Sequence, residues 1–275
     1  MSFSIAGKTA IVTGAANGIG LAIARHFADH GANVICADMD EEGLLKQWGD
    51  NPEDEENAQS NTRIFAGDLR EKLTIANLLS ATIDAFERVD ILINASRQVM
   101  LSDPMDADNT AVQTLLDQNL MTSLRLSQLV AKRMIQQGEG LSEDAQHTPL
   151  GAIVNLSSIA ATRTQPGLLA YSVASAAVDQ MTRSLAVALA PNRIRVNAVS
   201  FGSVMSASLR DTIREAKETR DDILDGTPLG RIASANEIAE AAQFLCSDSS
   251  SFMTGHILTI DGGRSLLDVV GNPSH

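Results

Sequence analysis

What most constrains this chain is a rhythm, in which short apolar runs alternate with longer stretches of helical periodicity from one end to the other. The runs are Thr9–Thr13, Asn33–Asp38, Arg63–Ala66, Ile91–Asn94, Ala152–Leu156, Arg195–Val199 and Ile257–Ile260. Each is too short for a core helix and too continuously apolar for a half-exposed strand, so it reads as a strand covered on both faces. Helical patterns lie between them, near residues 18–30, 71–87, 111–136, 171–189 and 235–247. Parallel neighbours need a crossover of a dozen or more residues, and these intervals supply one each time. The expectation is an α/β fold, a single doubly wound domain over residues 1–275 with a parallel sheet and no internal repeat.

Three stretches break the rhythm. Asp40–Asn61 carries eight acidic residues and one lysine, with Gly43, Gly49 and Pro52, and reads as a solvated, helix-free surface connection. Gln137–Pro149 reads as a loop. Ser203–Pro228, with mixed charges at roughly helical spacing after a strand end, reads as a cover over a cleft.

Aromatic residues are only 3% of the chain against 44% apolar overall, so the core must be built from Ala, Val, Ile and Leu. The formal charge of −13, with no basic cluster to offset it, argues against nucleic acid and anionic membrane surfaces as partners. No run approaches the ~20 apolar residues of a membrane span. The first strand begins at Thr9, leaving no room for a signal peptide, so a cytoplasmic protein is expected. Cys36 and Cys246 stand alone in apolar settings and read as buried, reduced thiols. His26, His30, His147, His256 and His275 pair with no cysteine or carboxylate at ligand spacing, so no metal site is expected.

Between the first strand and first helix lies Thr13-Gly14-Ala15-Ala16-Asn17-Gly18-Ile19-Gly20. Gly14 permits a tight turn, Gly18 lets the backbone approach a pyrophosphate, and Gly20 lets helix and strand pack closely. The phosphate would meet the free N–H groups of the helix start, around Asn17 and Ile19. Asp38 ends the second strand, 18 residues beyond Gly20. A carboxylate there suits the two hydroxyls of an adenosine ribose and repels a 2′-phosphate. No Arg or Lys lies in the glycine loop, so NAD(H) is expected over NADP(H). The bland alternative for Asp38 is the N-cap of a following helix.

The Thr13–Gly20 loop is one of an ordered set with Gly67-Asp68-Leu69, Asp90–Asn94, Asn119, Ile153–Ser158, Tyr171, Arg195–Val199, Pro228–Arg231 and Asp261-Gly262-Gly263. Together they resemble the short-chain dehydrogenase/reductase family over nearly the whole chain. That resemblance implies a seven-stranded Rossmann-type sheet and a dimer or tetramer built on the long helices after Asn109 and Tyr171. It implies that Asp68 and Leu69 flank the adenine, that Asn94 lines the cofactor cleft, and that Gly202 and Val204 lie beside the nicotinamide carboxamide. Tyr171 would exchange a proton with the substrate oxygen, Ser158 would orient that oxygen, and Asn119 would hold a water in the proton relay. The substrate implied is a small alcohol or carbonyl compound.

The chain departs from the family pattern at three places. Four residues after Tyr171 the family places a lysine that binds the nicotinamide ribose and holds charge near the phenol; here that residue is Ser175. Two charges about 4 Å apart at an effective dielectric near 20 interact by roughly 4 kcal/mol, and a tyrosine without such help titrates near ~10. Loss of the cation should therefore hurt alcohol oxidation more than carbonyl reduction, because a protonated phenol still donates. In Asn94-Ala95-Ser96-Arg97 the arginine replaces an expected glycine, and it either restores charge at the cofactor phosphates or near Tyr171, or swings into solvent. In Ser200-Phe201-Gly202 the phenylalanine replaces an expected proline, at the expected cost of some loop rigidity and little else. Arg163, five residues beyond Ser158, either meets an acidic substrate or forms a salt bridge at the rim. Two functions stay open: an NAD(H)-dependent oxidoreductase, weakened or biased toward reduction, and a catalytically silent NAD-binding subunit or sensor.

Overall fold

The computed structural model describes residues 3–49, 60–139, 148–205, 209–210, 213–214 and 217–268. Its sheet contains seven parallel strands: β1 (Thr9–Thr13), β2 (Asn33–Asp38), β3 (Thr62–Ala66), β4 (Ile91–Asn94), β5 (Gly151–Ser158), β6 (Ile194–Phe201) and β7 (Ile257–Ile260). Their order is β3-β2-β1-β4-β5-β6-β7. Every strand lies within a few residues of its sequence-predicted position. Central β1 and β4 are buried at every residue, whereas the edge strands β3 and β7 are only partly covered. This is why the central runs are the most uniformly apolar.

The helices are α1 (Gly18–Asp29), α2 (Glu41–Trp48), α3 (Lys72–Phe86), α4 (Ala111–Leu115), α5 (Thr122–Gln137), α6 (Leu169–Leu189), α7 (Lys217–Asp225) and α8 (Ala235–Cys246). On one face of the sheet Ile23 and Phe27 of α1 and Ile238 and Leu245 of α8 close a core over β1, β2, β4 and β5. On the other, Leu78 of α3 and Leu126, Val130 and Met134 of α5 do the same. With burial near 25 cal/mol per Å², these two aliphatic layers supply the packing that the scarce aromatics do not.

Two local expectations are corrected. The acidic connection after β2 begins with a helix, α2. Asp40 caps it by accepting the Gly43 N–H at 3.0 Å, and Glu41 and Glu42 sit in its first turn, where the helix dipole favours negative charge. Gly43 does not break this helix, since it lies in the first turn with its N–H held by the capping carboxylate, and a side chain there would crowd that carboxylate. The helical pattern at 111–136 is likewise not one α-helix. A π-helical stretch, Leu116–Met121, separates α4 from α5, and Asn119 is its buried residue. Residues 140–147 of the predicted loop, and 206–208, 211–212 and 215–216 of the predicted cover, lie outside the described residues; so do His147 and His275.

Candidate active site

The strand order reverses between β1 and β4, and a cleft of about 710 Å³ opens at their carboxyl ends. Gly14, Asn17, Gly18, Ile19, Gly20 and Asp38 all line it. Gly14 has φ +71°, and a side chain there would press on the backbone of Ala95 and Ser96 at 3.0 Å; one on Gly20 would collide with the Gly14 carbonyl. Asn17, the N-cap of α1, makes no side-chain capping bond, so the helix start presents its N–H groups to the cleft. The Asp38 carboxylate accepts the backbone N–H of Ala16 at 3.0 Å and of Asp40 at 3.1 Å. It is not the cap of α2, a part that falls to Asp40.

The other cofactor candidates are placed less simply. Asp68 is held by Arg70 in a two-pronged ion pair, closest approach 2.6 Å, which keeps its carboxyl below the usual range. Arg70, and neither Asp68 nor buried Leu69, lines the large cleft; nothing in the sequence around it marks it out. Asn94 is buried and donates to Ser127 at 2.9 Å and Asn155 at 2.8 Å. Its side chain therefore ties β4 to β5 and α5 and borders a smaller cavity instead of the cleft. Gly202 lines a third space, and Val204 is buried in a bridge to Ala233.

That third space, about 400 Å³, has both Ser158 and Tyr171 in its wall. Ser158 ends β5, and its hydroxyl accepts the Ala160 N–H at 3.2 Å. Tyr171 lies in the first turn of α6, 5% exposed and packed with Ala111 and Leu115 of α4 and with Ala160 and Ala174. The two chemical candidates thus meet at one surface.

Arg97 stands beside them. The Thr13 hydroxyl accepts the N–H groups of Ala95 and Ser96, both at 2.9 Å, while Asn119 brackets Gln98, accepting its N–H at 2.8 Å and donating to its carbonyl at 2.9 Å. The segment that carries Arg97 is therefore pinned on both sides. Its Nη1 donates to the Tyr171 hydroxyl at 2.6 Å and to the Ser157 carbonyl at 3.3 Å. Its guanidinium carbon stands 4.2 Å from the Phe201 ring centroid and 5.9 Å from that of Tyr171, within cation–π range of both. Of the destinations left open by the sequence, Arg97 takes the one near Tyr171. Phe201 does more than expected, because its ring is the platform on which the guanidinium lies.

Ser175 is buried and borders a cavity of about 10 Å³ shared with Asn94, Arg97, Asn119, Ser123 and Tyr171, room for about one water. Asn119 spends its side chain on Gln98, so in this fold it first positions the Arg97 segment and second walls that cavity. Burial pushes the Cys246 thiol up to about 12 and raises that of Cys36, as inert core thiols should be. No cluster of His, Cys, Asp and Glu among the described residues could hold a metal ion.

Residues 14–265 match the family described as enoyl-(acyl carrier protein) reductase. The chain is 34% identical over 267 residues to a galactitol 2-dehydrogenase (L-tagatose-forming) of Cereibacter sphaeroides, covering 96% of this chain and 97% of that one. It is 32% identical over 260 residues to the 3-oxoacyl-[acyl-carrier-protein] reductase FabG of Thermotoga maritima, covering 94% and 97%. A short-chain type dehydrogenase/reductase from Mycobacterium ulcerans superimposes with a TM-score of 0.83 at 26% identity, covering 96% of this chain and 91% of the other. With the glycine cradle, the seven parallel strands and the serine–tyrosine wall already in place, these likenesses show that the chain belongs to the short-chain dehydrogenase/reductase family of oxidoreductases.

Proposed function

We propose that this protein is an NAD(H)-dependent oxidoreductase interconverting a small alcohol and carbonyl, with reduction the faster direction in assay. The observation that carries the reading is the 2.6 Å contact of Arg97 with the Tyr171 hydroxyl: a permanent cation reaches the phenol although Ser175 replaces the lysine. The residues present fit the cofactor. Gly14 and Gly20 let the turn and the helix pack closely, Gly18 leaves open space for a pyrophosphate, Asp38 suits an unphosphorylated ribose, and no cation lies in the glycine loop. When bound, the nicotinamide supplies or accepts the hydride.

The chain's own residues handle the oxygen. Ser158 holds the substrate oxygen against Tyr171 and the phenol hands it a proton as negative charge develops. A guanidinium donates and never accepts, so the bond from Arg97 occupies a lone pair of the phenol oxygen and leaves its hydrogen for the substrate side. The same bond stabilises the phenolate left after transfer. A donor-ready phenol suits reduction, while the overall equilibrium is unchanged.

By the family's habit the protein works in the cytoplasm as a dimer or tetramer through α5 and α6; Leu169, Val173 and Val187 of α6 are exposed. Among the described residues no helix is long and apolar enough to cross a membrane.

The test is NADH consumption over a panel of small carbonyl compounds, beside NADH affinity by calorimetry. Turnover should appear, and Tyr171→Phe should lower it by about 10²–10⁴-fold while NADH still binds. Tight NADH binding with no hydride transfer to any carbonyl would favour the silent NAD-binding subunit instead.

A further inference from the structure

The space on the far side of Ser158 and Tyr171 has a charge opposite to that of the protein around it. The chain carries 34 acidic and 21 basic residues, yet the described residues lining this 400 Å³ pocket include Arg163 and Arg264 and no Asp or Glu. Neither arginine is neutralised by an ion pair among the described residues. The Arg163 guanidinium has no carboxylate within salt-bridge distance among them, so the rim salt bridge is not formed. Its backbone is fixed, the N–H bonding to the Ile159 carbonyl at 2.8 Å.

Arg264 is half-buried and anchored. Its Nη1 donates to the Ser203 hydroxyl at 2.6 Å, and the turn that carries it is set by Asp261, which accepts the N–H groups of Gly263 and Ser265 at 2.9 and 2.7 Å. Asp261 feels the Arg264 charge, but its oxygens are bound to the backbone and make no ion pair with the guanidinium, whose remaining N–H groups are left for a ligand. Ile159, Leu168 and Ile223 give the same pocket apolar walls. A guanidinium fork beside apolar surface matches paired oxygens of a carboxylate or a phosphate; Arg163 stands exposed at the rim of this pocket and Arg264 half-buried in its wall.

Resting on the oxidoreductase reading, we infer that the substrate is an organic oxyanion, a carboxylate or a phosphate ester, whose charged group is held by Arg163 and Arg264 while its carbonyl or hydroxyl oxygen meets Ser158 and Tyr171. The pocket thereby sorts substrates by charge. Neutral polyols and ketones of equal size would lack the anchor.

The test compares matched pairs: acetoacetate with methyl acetoacetate, and dihydroxyacetone phosphate with dihydroxyacetone, each with NADH. The charged member of at least one pair should show kcat/KM at least about tenfold above its neutral partner. Which pair responds tells carboxylate from phosphate. Arg163→Ala and Arg264→Ala should shrink that ratio chiefly through KM, and Arg264→Lys should keep part of it. Neutral members reduced as well as charged ones would overturn the inference and leave the oxidoreductase reading standing. If no compound is reduced, the oxidoreductase reading fails and binding still decides the charge question. Glutarate should bind more tightly than dimethyl glutarate, with the difference falling in Arg163→Ala and Arg264→Ala; equal binding would overturn the anion site.

Discussion

At the end of the cleft proposed to take the cofactor, Gly14, Gly18, Gly20 and Asp38 line one wall, the glycines shaped by main-chain geometry and Asp38 held by backbone N–H groups. At the end proposed to be catalytic, Ser158 and Tyr171 share one pocket wall while the groups around them depart from the family pattern: serine for lysine at 175, arginine for glycine at 97, phenylalanine for proline at 201. These three changes are one change in space. Ser175 gives up the room, Arg97 brings a cation in from β4 in place of α6, and Phe201 offers that cation a ring. A binding end built on main chain tolerates little revision, because a Cβ in the wrong place blocks it. A catalytic end built on side chains can move a charge from one element to another and keep the field at the phenol.

The sharpest way to break that comparison is Arg97→Ala. Charge-assisted hydrogen bonds are worth about 1.5–3 kcal/mol, so kcat/KM should fall by about 10- to 100-fold while NADH affinity changes far less. Ser175→Lys alone should bring no gain, since it would force a second cation into the single-water space beside Arg97. In the double variant Arg97→Ala with Ser175→Lys, steady-state kinetics should show much of the loss recovered. A gain from Ser175→Lys in the otherwise unaltered chain would mean that Arg97 does not stand in for the lysine.

The second effect belongs to the cofactor end. Asp38 meets the α1 loop through Ala16 and faces the cleft, so Asp38→Asn removes the repulsion against a 2′-phosphate. The NADH-over-NADPH preference should narrow by about tenfold or more, read from paired calorimetric titrations. A protein that already prefers NADPH would show that this end too has been revised.

Much of this difference between the two ends is legible in the amino-acid sequence. The glycine loop, Asp38 and the strand runs are local patterns whose spacing is set by turn geometry and sheet burial, so they read directly. Arg97 stands out as an anomaly, but its direction does not. That depends on the Thr13 hydroxyl and on Asn119 pinning the flanking backbone, contacts spanning 21 to 83 residues of sequence. Phe201 reads as a blemish because a ring's partner across the sheet leaves no mark on its own neighbours in the chain. Helix α2 escapes a sequence reading because Gly43 and clustered acids look like a helix breaker and a solvated loop, when the acids are its cap and first turn. Arg70 escapes it because two-residue ion pairs are common everywhere.

Phe201→Leu tests the platform. A cation–π contact is worth about 0.5–2 kcal/mol, so kcat/KM should fall by roughly 3- to 10-fold, and Phe201→Tyr, which keeps the ring, should retain most of it. Some loss of stability accompanies the smaller side chain in a buried site. Thermal unfolding measured beside the kinetics separates the two: an activity loss tracking Tm alone would reduce Phe201 to packing.

The smallest effect is expected from Arg70→Ala, and its smallness is what the comparison requires. Arg70 lines the cleft, yet it is committed to Asp68 in an ion pair whose partners are about half and one-third exposed to solvent. Such pairs contribute little, so Tm should move by no more than about 2–3 °C and NADH affinity by less than about threefold. The sign with pH follows from the pair. Arg70 holds the Asp68 carboxyl below its usual range, so whatever stability the pair adds is present above the ordinary carboxylate value. It disappears as pH falls through the depressed one. Wild type and Arg70→Ala should therefore differ slightly at neutrality and converge in acid. A selective loss of NADPH binding in Arg70→Ala would instead make Arg70 a phosphate-receiving cation, and the cofactor end would then have been rewired by a side chain in the same way as the catalytic one.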